Sequence, residues 1–368
     1  MHPTSPDVDT PTIVVDIDVL SRNITAKATA VRTNGLQLRP HAKTHKIPEI
    51  ASLQMEAGAV GLTVATIGEA EIFAEHGVHD IFSAYPLWVG RRAADRLRAL
   101  AAGARITVGL DSCEAARATA SSLGPAVGDI EVSLEIDSGH HRSGIAPEAT
   151  VEVARAATEA GLRVTGIFTF PGHSYGPEMP VRAANDERRA LAAASTLLTE
   201  AGFGIVHRSG GSSPTAGLLD IAASAATEVR PGVYVFNDAQ QLELGRCSVD
   251  DIALSVLATV VSRHEGTKDI PRRIIVDAGS KILGGDRPAW TTGFGRLLDH
   301  PDARITALSE HHATIVWPET AALPALGSRL RVIPNHVCVA INLVDSVTVV
   351  SDGDVVTRWN VAARGRNS

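Results

Sequence analysis

An α/β chain, with a (β/α)8 TIM-type barrel followed by a C-terminal all-β domain, is the fold class that three observations predict. Eight short strand-like runs alternate with helix-like runs between about residues 38 and 236. After about residue 245 the rhythm changes to strands with few helical gaps. The length, 368 residues, exceeds one ordinary small domain and fits a large barrel plus a module. The barrel is expected over residues 18–245. The β-domain is expected over 246–361, joined by an N-terminal strand within 10–17.

Taken in order, a helix over Val19–Thr33 places Leu20, Ile24, Ala28 and Val31 on one apolar face. The eight strand candidates are Leu38–Ala42, Leu62–Ala65, Asp80–Ala84, Arg105–Leu110, Glu131–Ile136, Val164–Phe170, Ile205–Ser209 and Glu228–Phe236. Helical spacing marks Pro48–Ala57, Ile67–His76, Arg91–Ala102 and Pro147–Ala160 between them. Thr66 and Glu69 stand at capping-box spacing, where hydroxyl and carboxylate can satisfy free N–H groups of a first turn. Gly77 and Gly161 sit where a helix stop wants a left-handed residue. A doubly wound open sheet would share this alternation. In the second part, strands are expected at Ile252–Ser262, Arg273–Asp277, Arg304–Ser309, Ala313–Trp317, Leu330–Ile333, Val337–Leu343 and Ser346–Thr357. Thr12–Asp16 is expected to return to this module, and the tail Ala362–Ser368 to be disordered.

Composition narrows the function classes. With 44% hydrophobic and 20% charged residues the chain is an ordinary globular protein, and a net charge of −7 gives nucleic acid or an acidic membrane no purchase. No apolar run approaches the ~20 residues of a membrane span. Met1–Pro11 lacks the basic start and apolar core of a signal peptide. Three cysteines, Cys113, Cys247 and Cys338, form no disulfide framework, which points to a reducing cytoplasm. Trp88, Trp290, Trp317 and Trp359 read as core or interface fillers, and the adjacent His140 and His141 as solvent-exposed.

Two segments carry chemistry. In Arg39-Pro40-His41-Ala42-Lys43-Thr44-His45-Lys46, strand alternation sets Arg39, His41 and Lys43 on one side at a strand's C-terminal end. A lysine among such groups can expose a free amine for Schiff-base formation with an aldehyde. The alternative is a surface lysine in a loop. A Schiff-base lysine suggests pyridoxal 5'-phosphate, which needs an anion site. Ser209-Gly210-Gly211-Ser212-Ser213-Pro214-Thr215 follows the seventh strand, where barrels often bind phosphate. Its glycines admit close backbone approach, and its hydroxyls and the start of an Ala-rich helix running toward Thr227 supply donors. Arg230, Gly232 and Tyr234 come next. A glycine-rich turn without ligand is the bland alternative.

The second segment is Pro334-Asn335-His336-Val337-Cys338. On a strand, His336 and Cys338 leave one face. Imidazole plus thiolate suits a divalent metal, Zn²⁺ better than Mg²⁺ or Mn²⁺. A buried cysteine beside a satisfied core histidine is the alternative.

Together these segments resemble the D-serine dehydratase / D-threonine aldolase family, the metal-assisted branch of the alanine-racemase-like (fold type III) pyridoxal-phosphate enzymes. The resemblance also covers Thr10-Pro11 with Asp16–Asp18, Glu135–Gly139 with Arg142 and Gly144, Glu228–Asn237, Asp277–Lys281 and Ser309-Glu310. It implies that Lys43 is the imine residue, flanked by His41, with Arg142 near the cofactor's phenolic oxygen and Tyr175 and His173 near the ring. Ser209, Gly210, Gly211, Ser212, Thr215, Arg230, Gly232 and Tyr234 would hold the cofactor. It also implies a homodimer, with Asp277 and Lys281 near the partner's site. The expected reaction is β-elimination of water from a small-molecule D-3-hydroxy amino acid to a 2-keto acid and ammonia. The alternatives are retro-aldol cleavage to glycine and an aldehyde, racemisation, or a non-catalytic cofactor carrier. Racemisation is disfavoured because related racemases use a β-domain tyrosine, and Tyr85, Tyr175 and Tyr234 all fall in the barrel.

Overall fold

The computed structural model describes residues 8–218 and 225–368. The Ala-rich segment expected to lead to Thr227 therefore lies partly outside the described residues, and its described start, 213–217, is turn. Two compact units are present. One holds residues 8–25, Thr44–Ile47 and Val233–Arg364; the other holds Ala26–Lys43, the described part of Pro48–Gly232, and Gly365–Ser368.

The chain starts with strand β1 (Thr12–Asp16) and helix α1 (Ile17–Thr33). Asp16 Oδ1 accepts the N–H groups of Asp18 and Val19, both at 3.0 Å, which supplies the cap. The expected face is buried: Leu20, Ile24, Ala28 and Val31 are all under a tenth exposed.

All eight barrel strands are found: β2 (Gln37–Leu38), β3 (Leu62–Val64), β4 (Asp80–Pro86), β5 (Arg105–Leu110), β6 (Ile130–Glu135), β7 (Arg163–Phe168), β8 (His207–Gly210) and β9 (Glu228–Val229). They pair in parallel in the order β2-β9-β8-β7-β6-β5-β4-β3. A further parallel bridge between His41 and Thr63 closes the ring. The helices between are α2 (Pro48–Glu56), α3 (Ile67–Glu75), α4 (Arg91–Ala101), α5 (Cys113–Leu123), α6 (Thr150–Glu159) and α7 (Met179–Glu200). Closure of the ring rules out the doubly wound open sheet, which would leave two free edges; β6 is buried at every position.

At α3 the expected cap is present: Thr66 Oγ1 accepts the Glu69 N–H at 3.0 Å, and Glu69 Oε2 accepts Ala65 N–H at 2.7 Å. Gly77 and Gly161 adopt the left-handed backbone after their helices. The tail is not disordered. Arg366 O accepts the Thr66 hydroxyl at 2.6 Å and Ser368 O accepts Gly68 N–H at 3.0 Å, so free groups at the start of α3 fix it.

The second unit is mostly strand: β10 (Leu254–His264), β11 (Arg273–Val276), β12 (Gly295–Leu297), β13 (Arg304–Leu308), β14 (Ala313–Val316), β15 (Arg329–Pro334), β16 (Ser346–Ser351) and β17 (Asp354–Asn360), with short helices α8 (Ala239–Glu243), α9 (Ser280–Leu283) and α10 (Val337–Asn342). β1 joins it as expected, antiparallel to β10 and parallel to β16. Two expectations fail. Ser346–Thr357 is not one strand but a hairpin, turned at Asp352-Gly353, where both residues take positive φ (48° and 80°) as a tight two-residue turn requires. Val337–Leu343 is not a strand but α10. Its apolar run buries Val337, Ala340 and Ile341, a helical spacing that a short run cannot advertise.

Among the described residues no helix is long and apolar enough to cross a membrane. Trp317 and Trp359 are buried, as core fillers should be, whereas Trp88 is 71% exposed. Replacing Thr66 by alanine removes the α3 cap and the tail's acceptor bond together. Stability should fall by about 1 kcal/mol, read from the midpoint of urea unfolding.

Candidate active site

Lys43 does not end a strand. After β2 the chain stays extended to His41, and Ala42–Thr44 then form one 3-10 turn, with Lys43 half-buried and its N–H facing His41 Nδ1 at 3.4 Å. The expected grouping with Arg39 does not hold. Arg39 is buried, bonded to Glu228 at 3.0 Å and Asp80 at 2.5 Å, so its charge is compensated inside the barrel.

Phe170, two residues past β7, gathers the polar groups instead. Lys43 Nζ lies 5.8 Å and Arg142 Cζ 5.0 Å from its ring centroid. His140 meets the ring edge-on at 5.7 Å, and Tyr175 lies tilted at 6.5 Å. Each cation over an aromatic face contributes roughly 0.5–1 kcal/mol. Lys43, Arg142 and Tyr175 are thus brought together around one residue that sequence reasoning did not single out. His140 is half-buried rather than exposed; burial and the nearby Arg142 hold its pKa low. His141 is exposed and bonded to Asp137 at 2.7 Å. His173 turns elsewhere, its Nε2 facing Asp186 Oδ2 at 3.3 Å in an open groove shared with Asp137, His141 and Arg182. Behind Arg142, at 4.0 Å, stands buried Glu135 at the end of β6. Burial raises its carboxyl pKa against the pull of Ser143 and Arg142.

The loop after β8 is rich in donors. Ser212 N–H donates to Thr215 Oγ1 at 2.9 Å, the Ser212 and Thr215 hydroxyls lie 3.0 Å apart, and Ser212 Oγ is 2.9 Å from Ser174 Oγ. Among the described residues Ser213 Oγ is buried with no partner, and a buried hydroxyl of this kind calls for an acceptor. Glu187 of α7, fully buried, accepts the Gly211 N–H and receives the Thr215 hydroxyl at 3.5 Å. A Cβ on Gly210 would meet Glu187 Oε1, so the bare Cα leaves that buried carboxylate its room. Ser209 and Arg230 are committed to the barrel interior. Ser209 Oγ donates to Glu228 at 2.5 Å and accepts from Arg230, which also donates to Thr169 O and lies over Phe82 and Phe168. Gly232 is buried after β9, and Tyr234 is buried in a 3-10 turn of the other unit.

His336 and Cys338 do not alternate on a strand. His336 is the N-cap of α10 and Cys338 lies in its first turn. Their side chains still meet, because the cap folds over the turn. Burial would lower the His336 pKa, but the Cys338 sulfur beside it and Asp238 raise it well above the ordinary value. Asp238 Oδ2 stands 3.6 Å from His336 Nδ1, and this fully buried carboxylate is itself fixed by Gln241 N–H and Val337 N–H. Cys338 Sγ lies 3.3 Å from the hydroxyl of Thr44, the residue after Lys43 in sequence. An imidazole oriented from behind by a carboxylate, beside a thiol, is a donor set that fits a soft divalent cation. Among the described residues no group of three His, Cys, Asp or Glu side chains could hold one, so water or substrate would complete the sphere. Asp277 accepts Thr259 N–H and the Thr10 hydroxyl, both at 2.7 Å, and Lys281 pairs with Glu310 at 2.9 Å.

The parallel barrel, the half-buried lysine past β2, the donor-rich loop after β8 and a separate mostly-strand unit are the architecture of an alanine-racemase-like enzyme. The family described as "Alanine racemase, N-terminal domain" matches residues 15–240, and "Putative serine dehydratase domain" matches 253–350. The D-threo-3-hydroxyaspartate dehydratase of Delftia sp. (strain HT23) is 36% identical over 360 residues, spanning 92% of this chain and 93% of its own. The D-threonine aldolase of Arthrobacter sp is 32% identical over 368 residues, spanning 97% and 93%. A solved structure described as a mutant D-threo-3-hydroxyaspartate dehydratase in the metal-free form superposes with a TM-score of 0.86 at 33% identity, covering 96% of this chain and 97% of that one. The chain belongs to the D-serine dehydratase / D-threonine aldolase family of fold type III pyridoxal-phosphate enzymes, and it is an enzyme of the lyase type.

Phe170 and Glu135 carried a usable signal, since both stand at C-terminal strand ends where barrel chemistry collects. Asp238 and Glu187 carried none. Gly210→Ala sets a methyl group against a buried carboxylate, and overpacking of this kind costs about 1–3 kcal/mol. The thermal midpoint should drop, with far-UV circular dichroism unchanged before the transition.

Proposed function

We propose that the protein removes water from a D-3-hydroxy amino acid, of the D-serine, D-threonine or 3-hydroxyaspartate type, giving a 2-keto acid and ammonia. The observation that carries this reading is the imidazole–thiol pair His336 and Cys338 backed by Asp238. Lys43, Arg142, Tyr175 and the hydroxyls of Ser212, Ser213 and Thr215 would hold pyridoxal 5'-phosphate. His336 and Cys338 would hold the cation, which their donor types suggest is Zn²⁺.

When bound, the cofactor supplies an electron sink for the substrate's α-carbon, and the cation supplies Lewis acidity toward a β-hydroxyl. Lys43 Nζ, as a free amine, would take the substrate's α-proton. Arg142 supplies a fixed positive charge opposite Glu135, and Phe170 walls Nζ from water on one side. Asp238, beside His336 Nδ1, would keep the ring turned so that its other nitrogen is the ligand atom. Loss of the α-proton and the β-hydroxyl, followed by hydrolysis at the α-carbon, balances as substrate to keto acid plus ammonia. The assembly in this reading is a homodimer, which light scattering would refute by finding a monomer.

Retro-aldol cleavage is the second reading. It needs a base for the β-hydroxyl, and His140, set against Phe170 with burial and Arg142 holding its pKa low, supports that role. D-serine, D-threonine and D-3-hydroxyaspartate, each with and without a chelator, separate the two. Keto acid that disappears on chelation is expected; glycine plus aldehyde would replace this reading with the aldolase. Lys43→Ala should abolish the visible imine band. Asp238→Asn should weaken metal affinity by about 10–100-fold, measured by competition with a chromophoric chelator.

A further inference from the structure

We propose that Glu187 sets the direction in which the hydroxyls of the anion loop point their protons, making it a positioning residue for the cofactor's phosphate. This rests on the cofactor reading above. Four groups form a line: Glu187 Oε2, Thr215 Oγ1 at 3.5 Å, Ser212 Oγ at 3.0 Å from Thr215, and Ser174 Oγ at 2.9 Å from Ser212. Each hydroxyl owns one proton, so the state of the carboxyl group fixes the polarity of the rest.

With Glu187 ionised, Thr215 must donate to it and Ser212 donates to Thr215. The line then points inward, and its outer end offers lone pairs. With Glu187 protonated, its O–H donates to Thr215, Thr215 donates to Ser212, and Ser212 donates either to Ser174, whose own proton then turns outward, or directly to a group outside. Thr215 Oγ1 also accepts the Ser212 N–H, which both arrangements permit. A phosphate dianion has only acceptors and selects the second arrangement. The carboxyl group is held under the loop by Gly211 N–H, and the bare Cα of Gly210 leaves it room. The neighbouring Ser213 Oγ is buried with no partner among the described residues, a further donor in the same loop.

The charged group facing Glu187 is Arg230, which follows β9; on α7 itself, Asp186 is turned to His173 and Arg189, and Arg188 to Asn185. Burial pushes the Glu187 pKa up, against Gly211, Arg230 and Thr215, to about 7. The proton is thus exchangeable near neutrality. Anion binding should draw a proton onto Glu187, and phosphate-specific affinity should be lost as pH rises.

The apoprotein's affinities for pyridoxal 5'-phosphate and for pyridoxal, read from the imine band between pH 7.5 and 9, test this. The phosphate is a dianion throughout, its second pKa being about 6, and imine chemistry is common to both ligands. In the wild type the ratio of the two affinities should fall by roughly tenfold per pH unit. In Glu187→Gln, whose amide donates permanently to Thr215 while its carbonyl accepts from Gly211, the ratio should be flat. Calorimetry of the wild type at pH 8 in two buffers should show about one more proton taken up with pyridoxal 5'-phosphate than with pyridoxal. Equal slopes in wild type and variant, or no extra proton, would overturn the inference while leaving the cofactor reading intact. Absence of any imine band in the wild type would overturn the cofactor reading and this inference with it.

Discussion

Arg39 ties the barrel together. Its guanidinium reaches Glu228 on β9 and Asp80 on β4 from the segment after β2, with Arg39 and Glu228 buried and Asp80 partly exposed. Burial opposes the charge on Glu228, yet Arg39, Ser209 and Arg230 hold its pKa below the usual carboxylate range. Breaking such a buried pair from one side costs about 3–5 kcal/mol, because the other charge stays behind. Four residues beyond Arg39 stands Lys43. The placement of the amine therefore depends on an interaction that never touches it: the ion pairs fix β2 against its neighbours, the His41–Thr63 bridge closes the ring, and the turn Ala42–Thr44 then has one course to follow.

The fold was legible because its signals were redundant. Eight apolar runs, glycine stops at 77 and 161, and the Thr66–Glu69 cap agree on one alternation, so a one-residue error at any boundary changes nothing. Legibility ended where two local readings cost the same. Val337–Leu343 satisfies a strand and a helix alike, and only packing of Val337, Ala340 and Ile341 decides. The Asp352-Gly353 dipeptide marks a turn by residue type, but it lies inside a longer β-rich stretch whose alternation does not show the break.

The site was legible in part, for a related reason. Lys43 and the His336–Cys338 pair are unusual residue types at informative spacings. Arg39 looked like part of the lysine's surroundings because strand alternation cannot distinguish a side chain facing a ligand from one facing Glu228. Asp238 acts on His336 from 98 positions away, and Glu187 looks like one more charge in Asn185-Asp186-Glu187-Arg188-Arg189. Groups that orient others from a different element leave no trace in local pattern.

Phe170 has a consequence of its own. One ring is shared by an amine, a guanidinium, an imidazole and a phenol, so none of their energies is independent of the others. Effects of single substitutions in this quartet will not sum, and a redesign that changes one member must carry the other three as co-variables.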